Sequence, residues 1–394
     1  MTDAPRDNDL RVVLTVTSSQ SLRLMDGFPE YLAVQGWEVH VVASAPSPAA
    51  FAPGSGVVVH DLRMSREPRL GSDIAGLAAW LRLLRRLRPD VVVAGTPKAA
   101  LLAMLAGRLT RVPDRVYLLR GLRLETERGM LGRLLWIMEW LTARSATRVL
   151  AVSESLRRTF LARGLSVATK VAVLGSGSSN GVDIAVRPGP DAVTAVERAL
   201  GLPSGVLVVG FVGRISTDKG LETLLAAARS LDDTGEKIRL LLVGAEEPPG
   251  VLEQSLLVTG IDPAVVTSVG AVADPTPYYA VMDVLCLPTR REGFPNVVLE
   301  AAVQVVPTVT TTATGSVDAV VDGVTGLLVP PGDAEALADA LKLLSARRGW
   351  SRQLGSMARE RAVALFNREL VWRLTEEYLR SATPRAKDLE VSAR

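Results

Sequence analysis

The sequence predicts an α/β chain of two doubly wound domains, and three observations point there. Short aliphatic runs such as RVVLTVTS, DVVVAG, VLVVGFVG and LRLLLVG show little alternation, the mark of parallel strands buried on both faces. Longer Ala/Leu/Arg-rich stretches of helical length separate them, the order that repeated right-handed βα winding produces. The length, 394 residues, exceeds what one core serves comfortably and suits two.

In the first half the strand RVVLTVT leads to a helix through FPEYLAVQG, then WEVHVVAS, a short VVVHDL, the helix IAGLAAWLRLLRRLR, DVVVAG, a helix AALLAMLAGRL and RVYLLR. A long amphipathic stretch, LGRLLWIMEWLTARS, follows, then RVLAVS, the helix SLRRTFLARG and KVAVLGSG. The pattern stops near Arg187 at RPGP, which reads as a linker. The second series runs VLVVGFVG, LETLLAAARSL, IRLLLVG, a helix near VLEQSLLVTG, VVTSVG, VMDVLCLP, the helix NVVLEAAVQ, VPTVTT, GLLVPP, EALADALKLL and a long helical tail. The expected domains, both Rossmann-like, are residues 1–187 and 191–369, with a last helix at about 370–394 that can pack back on the first. Open parallel sheets bind ligands beyond the carboxyl ends of their strands, so two such domains facing across a cleft place the site between them. The termini, including PRAKDLEVSAR, are expected to be poorly structured.

The formal charge is only +3, yet residues 1–187 hold 25 Lys and Arg against 16 Asp and Glu, leaving 20 against 26 in the rest. A basic first half suits an anionic partner, whether a phosphorylated lipid, a membrane surface or nucleic acid, although arginines that merely solvate helices such as LRLLRRLR are the plainer reading of any one of them. The first strand's turn lacks GxGxxG and no aromatic–basic platform is visible, which argues against a dinucleotide- or nucleic-acid-binding module. The single Cys286 lies in the apolar run VMDVLCLP, so no intrachain disulfide forms and a small buried hydrophobe is expected. The start, MTDAPRDNDL, does not look like a signal peptide, and no stretch of ~18 residues lacks charge. The expected location is the cytoplasm, including the cytoplasmic face of a membrane.

Chemistry concentrates in the second half. In FVGRISTDKG a strand ends at Gly213, and Arg214 and Lys219 follow at a spacing that brings both to one point before the next helix. A planar fork and a mobile ammonium together neutralise the charge growing on a departing diphosphate; a turn with solvated charges is the alternative. In REGFPNVVLEA, Glu292 precedes a Gly–Phe–Pro turn, and Glu300 is expected two turns into the helix opened near Asn296. The first amides of that helix offer positive charge to a phosphate or sugar oxygen. A loop carboxylate accepts hydrogen bonds from sugar hydroxyls, and a helical one can hold both hydroxyls of a ribose.

In combination, VGRxxxxKG, DVLCLPTRREGFPNVVLEA and the late turn DGVTGLLVPPGD resemble the second domain of the retaining glycosyltransferases of the large family 4, whose fold is called GT-B. The likeness spans most of residues 200–345. It implies that Arg214 and Lys219, beside Gly213, bind a donor diphosphate, that Glu292 with the backbone of Gly293, Phe294, Pro295 and Asn296 holds the transferred sugar, that Glu300 holds the ribose, and that the base lies against Val272. It further implies transfer of a hexosyl or N-acetylhexosaminyl group from a nucleotide sugar, UDP being the commonest carrier, with no cofactor and no metal. The leaving phosphate itself would take the acceptor's proton. The first half resembles the family through TVTSSQSLRLMDGFPEYLAVQGWEVHVVAS, and through YLLRGLRLET and VAVLGSGSSNGVD it resembles the branch that builds bacterial surface polysaccharides on lipid-linked precursors.

Two departures stand out. The loop after the first strand, often a glycine pair in the family, is Ser18-Ser19-Gln20, which leaves a donor-phosphate role for Ser18 and Ser19 as an expectation only. Many relatives have a His where this chain has Arg120-Gly121. Arg120, Gly121 and Lys98 are the candidates for the acceptor side, Arg120 holding either the acceptor's phosphate or the sugar's hydroxyls; an ion pair of Arg120 with Glu125 or Glu127 is the alternative. His40 and His60 fall in or beside apolar strands and read as structural. Two His and one Cys build no zinc cage, and the Asp7-Asn8-Asp9 triplet sits in the polar leader. The stretch GMLGRLLWIMEWLTAR sets Leu131, Leu134, Leu135, Met138 and Leu141 at helical spacing beside Trp136 and Trp140, flanked by Arg133 and Arg144. That suits either a membrane interface or an ordinary core-facing helix. A nucleotide-sugar epimerase or phosphorylase of the same fold, or transfer to a small natural product, are the rival activities.

Overall fold

The computed structural model describes residues 10–46, 51–64, 70–201 and 205–381; Asp7-Asn8-Asp9 and the final PRAKDLEVSAR lie outside them. The chain divides into two compact units, Met1–Asn180 with Glu369–Arg394, and Gly181–Arg368. The division thus falls at Asn180 rather than near Arg187.

The first unit contains β1 (Arg11–Ser18), α1 (Phe28–Val34), β2 (Glu38–Ser44), β3 (Val57–Asp61), α2 (Leu70–Leu87), β4 (Val91–Ala94), α3 (Pro97–Leu109), β5 (Asp114–Leu119), α4 (Gly129–Ser145), β6 (Arg148–Ala151), α5 (Glu154–Ala162) and β7 (Val171–Ala172). Its sheet runs β3-β2-β1-β4-β5-β6-β7, every pairing parallel. Strand order reverses between β1 and β4, the switch point of an open wound sheet. Val12, Val13 and Val16 on β1 are fully buried, as a strand covered by helices on both faces requires. KVAVLGSG yields a strand of only two residues. His40 and His60 lie on β2 and β3 with Nδ1 and Nε2 3.0 Å apart, and His40 Nε2 meets Glu38 at 2.9 Å. Burial, and for His60 also the charge of His40, lowers both imidazoles, His60 to about 4.

The second unit contains α6 (Pro190–Leu200), β8 (Leu207–Val212), α7 (Leu221–Asp233), β9 (Ile238–Val243), α8 (Val251–Thr259), β10 (Val266–Ser268), α9 (Thr276–Tyr279), β11 (Val284–Leu287), α10 (Asn296–Val303), β12 (Thr308–Thr311), α11 (Ser316–Ala319), β13 (Gly326–Val329), α12 (Ala334–Ala346) and α13 (Arg348–Phe366), and α14 (Arg368–Ser381) leads out of it. Its sheet, β10-β9-β8-β11-β12-β13, is also parallel throughout and reverses between β8 and β11. RPGP is not a plain linker: its second proline opens α6, where a fixed φ and a missing N–H cost nothing. Cys286 is fully buried on β11, and burial pushes its thiol up.

From Glu369 the chain belongs to the first unit again. Trp372 packs on Tyr31 and Phe28, Trp37 Nε1 donates to Glu376 at 3.1 Å, and the Arg148 guanidinium lies 3.9 Å over the Tyr378 ring. Leu379 is fully buried in the β1–β2 core, a contribution of about 2 kcal/mol. Gly27, at φ +80, permits this contact, because a Cβ there would lie 2.5 Å from the Trp372 ring. Among the described residues no helix is long and apolar enough to cross a membrane.

Candidate active site

The second unit gathers its sequence-predicted residues beyond the carboxyl ends of β8 and β11, either side of the switch point. Gly213 leaves β8 at φ +143, and a Cβ on Gly244, which follows β9, would stand 1.7 Å from its carbonyl oxygen. Two backbones therefore meet with no room for a side chain. A 3-10 turn, Thr217–Lys219, then delivers Gly220 against the Pro288 carbonyl at the end of β11, where a Cβ would lie 1.9 Å from that oxygen. This approach brings Lys219 to Glu292, and the two form a salt bridge with little exposure.

Arg214 is half exposed and shared between Glu247 at 3.1 Å and Asp218 at 3.5 Å. Asp218 is the hub: it accepts from Ser216 Oγ at 2.6 Å and also faces Arg291 at 3.6 Å. Burial alone would raise its pKa, but the Ser216 hydrogen bond and the charges of Arg214, Lys219 and Arg291 bring it below the usual value. Asp218, Glu247 and Arg291 were not among the expected site residues, although the first and last stand inside the quoted motifs.

Glu292 is positioned by its own backbone, whose N–H donates to Thr314 at 2.9 Å. Behind it, Gly315 at φ +80 approaches so closely that a Cβ would lie 2.5 Å from the Gly293 carbonyl oxygen. The Phe294 side chain turns into the core against Phe366, ring centroids 5.1 Å apart, so only its backbone is left for a ligand. Pro295 caps α10, and the buried Oδ1 of Asn296 has no hydrogen-bond partner. Glu300 sits one turn into α10 rather than two. Its carboxylate accepts from Tyr279 Oη at 2.7 Å, and burial raises its pKa against the opposing effects of that bond and of Arg368. Val272 lies partly exposed in the loop after β10. Arg214, Lys219, Glu292 and the start of α10 thus form one polar cluster able to hold a diphosphate and a sugar.

The other expected residues belong to the first unit. Ser18 ends β1 with its Oγ 3.2 Å from Ser21, and Ser19 starts a 3-10 helix, Ser19–Met25. Lys98 is buried and neutralised by Asp73 at 2.6 Å, so its charge is committed inside the fold. Arg120 follows β5 beside Gly121; among the described residues it pairs with neither Glu125 nor Glu127, and Glu127 faces Arg123 at 3.8 Å instead. On α4, Glu139, Thr142 and Ala143 are buried, whereas Met130, Leu131, Leu134, Trp136, Ile137 and Trp140 are exposed. The stripe is thus split: Leu131, Leu134, Trp136 and Trp140 stand exposed, with Trp136 Nε1 donating to the Arg163 carbonyl at 3.0 Å, while Leu135, Met138 and Leu141 are half-buried. Trp136 and Trp140 stack 6.3 Å apart, with Arg133 and Arg144 exposed along the same helix.

Comparison with known proteins identifies the family. Residues 206–347 match the family described as glycosyl transferases group 1, and residues 28–177 match the glycosyl transferase 4-like domain. The capsular polysaccharide biosynthesis glycosyltransferase CapM of Staphylococcus aureus is 35% identical over 91% of this chain and 93% of its own length. The GDP-mannose-dependent alpha-mannosyltransferase of Mycobacterium tuberculosis is 30% identical over 78% of this chain and 79% of its own. Among solved structures, Anabaena Alr3699/HepE in complex with UDP and glucose superposes with a TM-score of 0.80 at 22% identity, covering 94% of this chain and 100% of that one. Two wound parallel sheets, a cation pair at the end of β8, the EGFPNxxxE turn and a full-length relative together establish that the chain belongs to the group 1 glycosyltransferases of family 4 and is a glycosyltransferase.

Proposed function

We propose that the chain transfers a hexosyl or N-acetylhexosaminyl group from a nucleotide diphosphate sugar, a UDP-sugar, to a hydroxyl of a lipid-linked saccharide, with retention at the anomeric carbon and without a metal ion. The observation that carries this reading is the cluster of Arg214, Lys219 and Glu292 beyond β8 and β11. Arg214 and Lys219 meet the donor's phosphates. Lys219 is held by Glu292; an arriving diphosphate competes for the ammonium, and the sugar's hydroxyls supply donors for the carboxylate thus released. Both partners are re-satisfied, so the exchange is cheap.

As the bond from the anomeric carbon to the diphosphate oxygen lengthens, negative charge grows on that oxygen, and the two cations bind it more tightly than the ground state. The acceptor hydroxyl attacks from the face the diphosphate leaves, and its proton passes to the departing oxygen. No side-chain base is used, and the fixed cations supply the countercharge otherwise provided by a divalent ion. UDP is favoured by the UDP and UDP-glucose complexes of the Anabaena protein; the mannosyltransferase relative makes GDP the competitor. A lipid-linked acceptor is favoured over a small soluble one by the exposed apolar face of α4 among arginines, which suits the surface of an anionic membrane.

Calorimetry with UDP, GDP and ADP, with and without a chelator, tests the donor side. UDP is expected to bind, unaffected by the chelator and weakened on Arg214→Ala. Binding of none of the three would sink the reading, and chelator-sensitive binding would overturn metal independence. NMR of the product's anomeric proton tests retention, an inverted linkage being the adverse result.

A further inference from the structure

The carboxyl end of the first unit's sheet holds one feature that fold stability does not require. Arg120 follows β5, and its guanidinium reaches across the switch point: it lies against Gly95, at the end of β4, and donates from Nη2 to the Leu24 carbonyl, after β1, at 2.9 Å. Its Nε and Nη1 are buried and have no hydrogen-bond partner, and among the described residues no carboxylate pairs with it. Burial, the sole cause of its shift, lowers its pKa to about 10, so the group keeps its charge near neutrality. Two buried donors left unmatched on a half-buried cation are costly, and a group of this kind calls for an explanation, a bound anion being one. Gly95 matters here because a Cβ would sit 3.2 Å from the guanidinium carbon and both Nε and Nη1, crowding the fork.

We propose that Arg120 anchors a phosphate group of the acceptor, so that the first unit selects a phosphate-bearing acceptor rather than a neutral one. This rests on the transferase reading above. Phosphate and diphosphate oxygens match the planar fork, and the position beyond β1, β4 and β5 is where a wound sheet receives anionic ligands. The phosphate can come from a lipid diphosphate headgroup or from a soluble sugar phosphate; the chemistry recognised is the same.

The test has two parts. In the first, inorganic pyrophosphate is titrated into the full chain saturated with UDP, so that the donor site is filled. The wild type is expected to bind a further equivalent that Arg120→Gln loses at least tenfold in affinity. Equal binding by both proteins, or no binding by the wild type, would overturn the assignment, whereas failure of UDP itself to bind condemns the donor reading and leaves pyrophosphate alone to report on Arg120. In the second, kinetics compare one sugar carried on a short-chain lipid diphosphate, as its 1-phosphate, and on a neutral alkyl chain. Arg120→Gln is expected to raise KM at least tenfold for phosphorylated acceptors and less than twofold for the neutral one, with Arg120→Lys restoring part of the loss. A preference for the lipid diphosphate over the 1-phosphate identifies the headgroup as the source. A uniform loss on all three acceptors would mean a structural role and end the proposal. Gly95→Ala, which crowds the guanidinium without removing it, is expected to give the same selective change in weaker form and replaces Arg120→Gln if that variant fails to fold.

Discussion

Beyond the sheet of the second unit, cations have carboxylate partners: Lys219 has Glu292, and Arg214 has Asp218 and Glu247. In the first unit, the corresponding end of the sheet holds Arg120, which among the described residues has only the Leu24 carbonyl as a hydrogen-bond partner. Both units also carry a tyrosine hydroxyl donating to a glutamate at 2.7 Å, Tyr117 to Glu139 and Tyr279 to Glu300. Glu139 lies on the buried face of α4, while Glu300 keeps some exposure and has Arg368 near enough to oppose the rise in pKa that burial causes. In the proposed donor site, pairing lets a charge be handed to a ligand and taken back; Lys98, paired with Asp73 and buried, shows that pairing alone does not mark such a site. Solitary burial marks either a fixed structural cost or a ligand not yet bound, and chemistry at the position tells which.

Four outcomes would break or sharpen this contrast. The largest is expected at Glu292: Glu292→Gln should lower kcat by roughly 100- to 1000-fold with the melting temperature within a few degrees, and a fully active variant would dissolve the exchangeable pair. Next is Glu139, raised by burial to about 7 against its usual 4.5, with the Tyr117 bond opposing. A raised folded pKa gives stability fully present below pH 4.5 and lost as the pH climbs through 7. Glu139→Gln keeps an acceptor for Tyr117 and cannot ionise, so its stability relative to wild type should improve by about 3 kcal/mol between pH 4.5 and 8.5 in urea titrations. Glu300→Gln should move the same difference less, since Tyr279 and Arg368 both oppose burial there. Third, Arg214→Ala should weaken UDP binding by about 2 kcal/mol, and Arg120→Gln should leave it unchanged; equal losses would place both arginines on the donor. The smallest effect concerns α4: Trp136→Ala with Trp140→Ala should reduce co-sedimentation with anionic vesicles by about 1–2 kcal/mol, and should do nothing if that face stays in water.

The strands were legible because fully buried parallel strands are written as unbroken aliphatic runs, and the phosphate and sugar motifs because their residues stand close together along the chain. What escaped was set by approach in space. The Glu247 partner of Arg214 and the Gly315 contact behind Gly293 come from loops after other strands, and no local spacing announces them. RPGP looked like punctuation, yet a proline at a first helical position fits either reading until the helix is seen. The apolar stripe on α4 has the same period whether it faces a core or water; only the burial of Glu139 and Thr142 decides which side turns inward. Arg120 was visible as a departure from its family, but that no carboxylate among the described residues pairs with it was not, since Glu125 and Glu127 lie near enough in sequence to promise one.

The return of residues 369–381 to the first unit sets the order in which a ribosome can finish this protein. The second unit, unbroken from Gly181 to Arg368, has all its residues outside the exit tunnel before the first has received Leu379 and Trp372. The earlier-made half must therefore wait, with the surface that α14 will cover on β1, β2 and α1 still open, until the residues after Arg368 have been made. Emergence of α14, rather than of residues 1–180, is the moment at which that half closes.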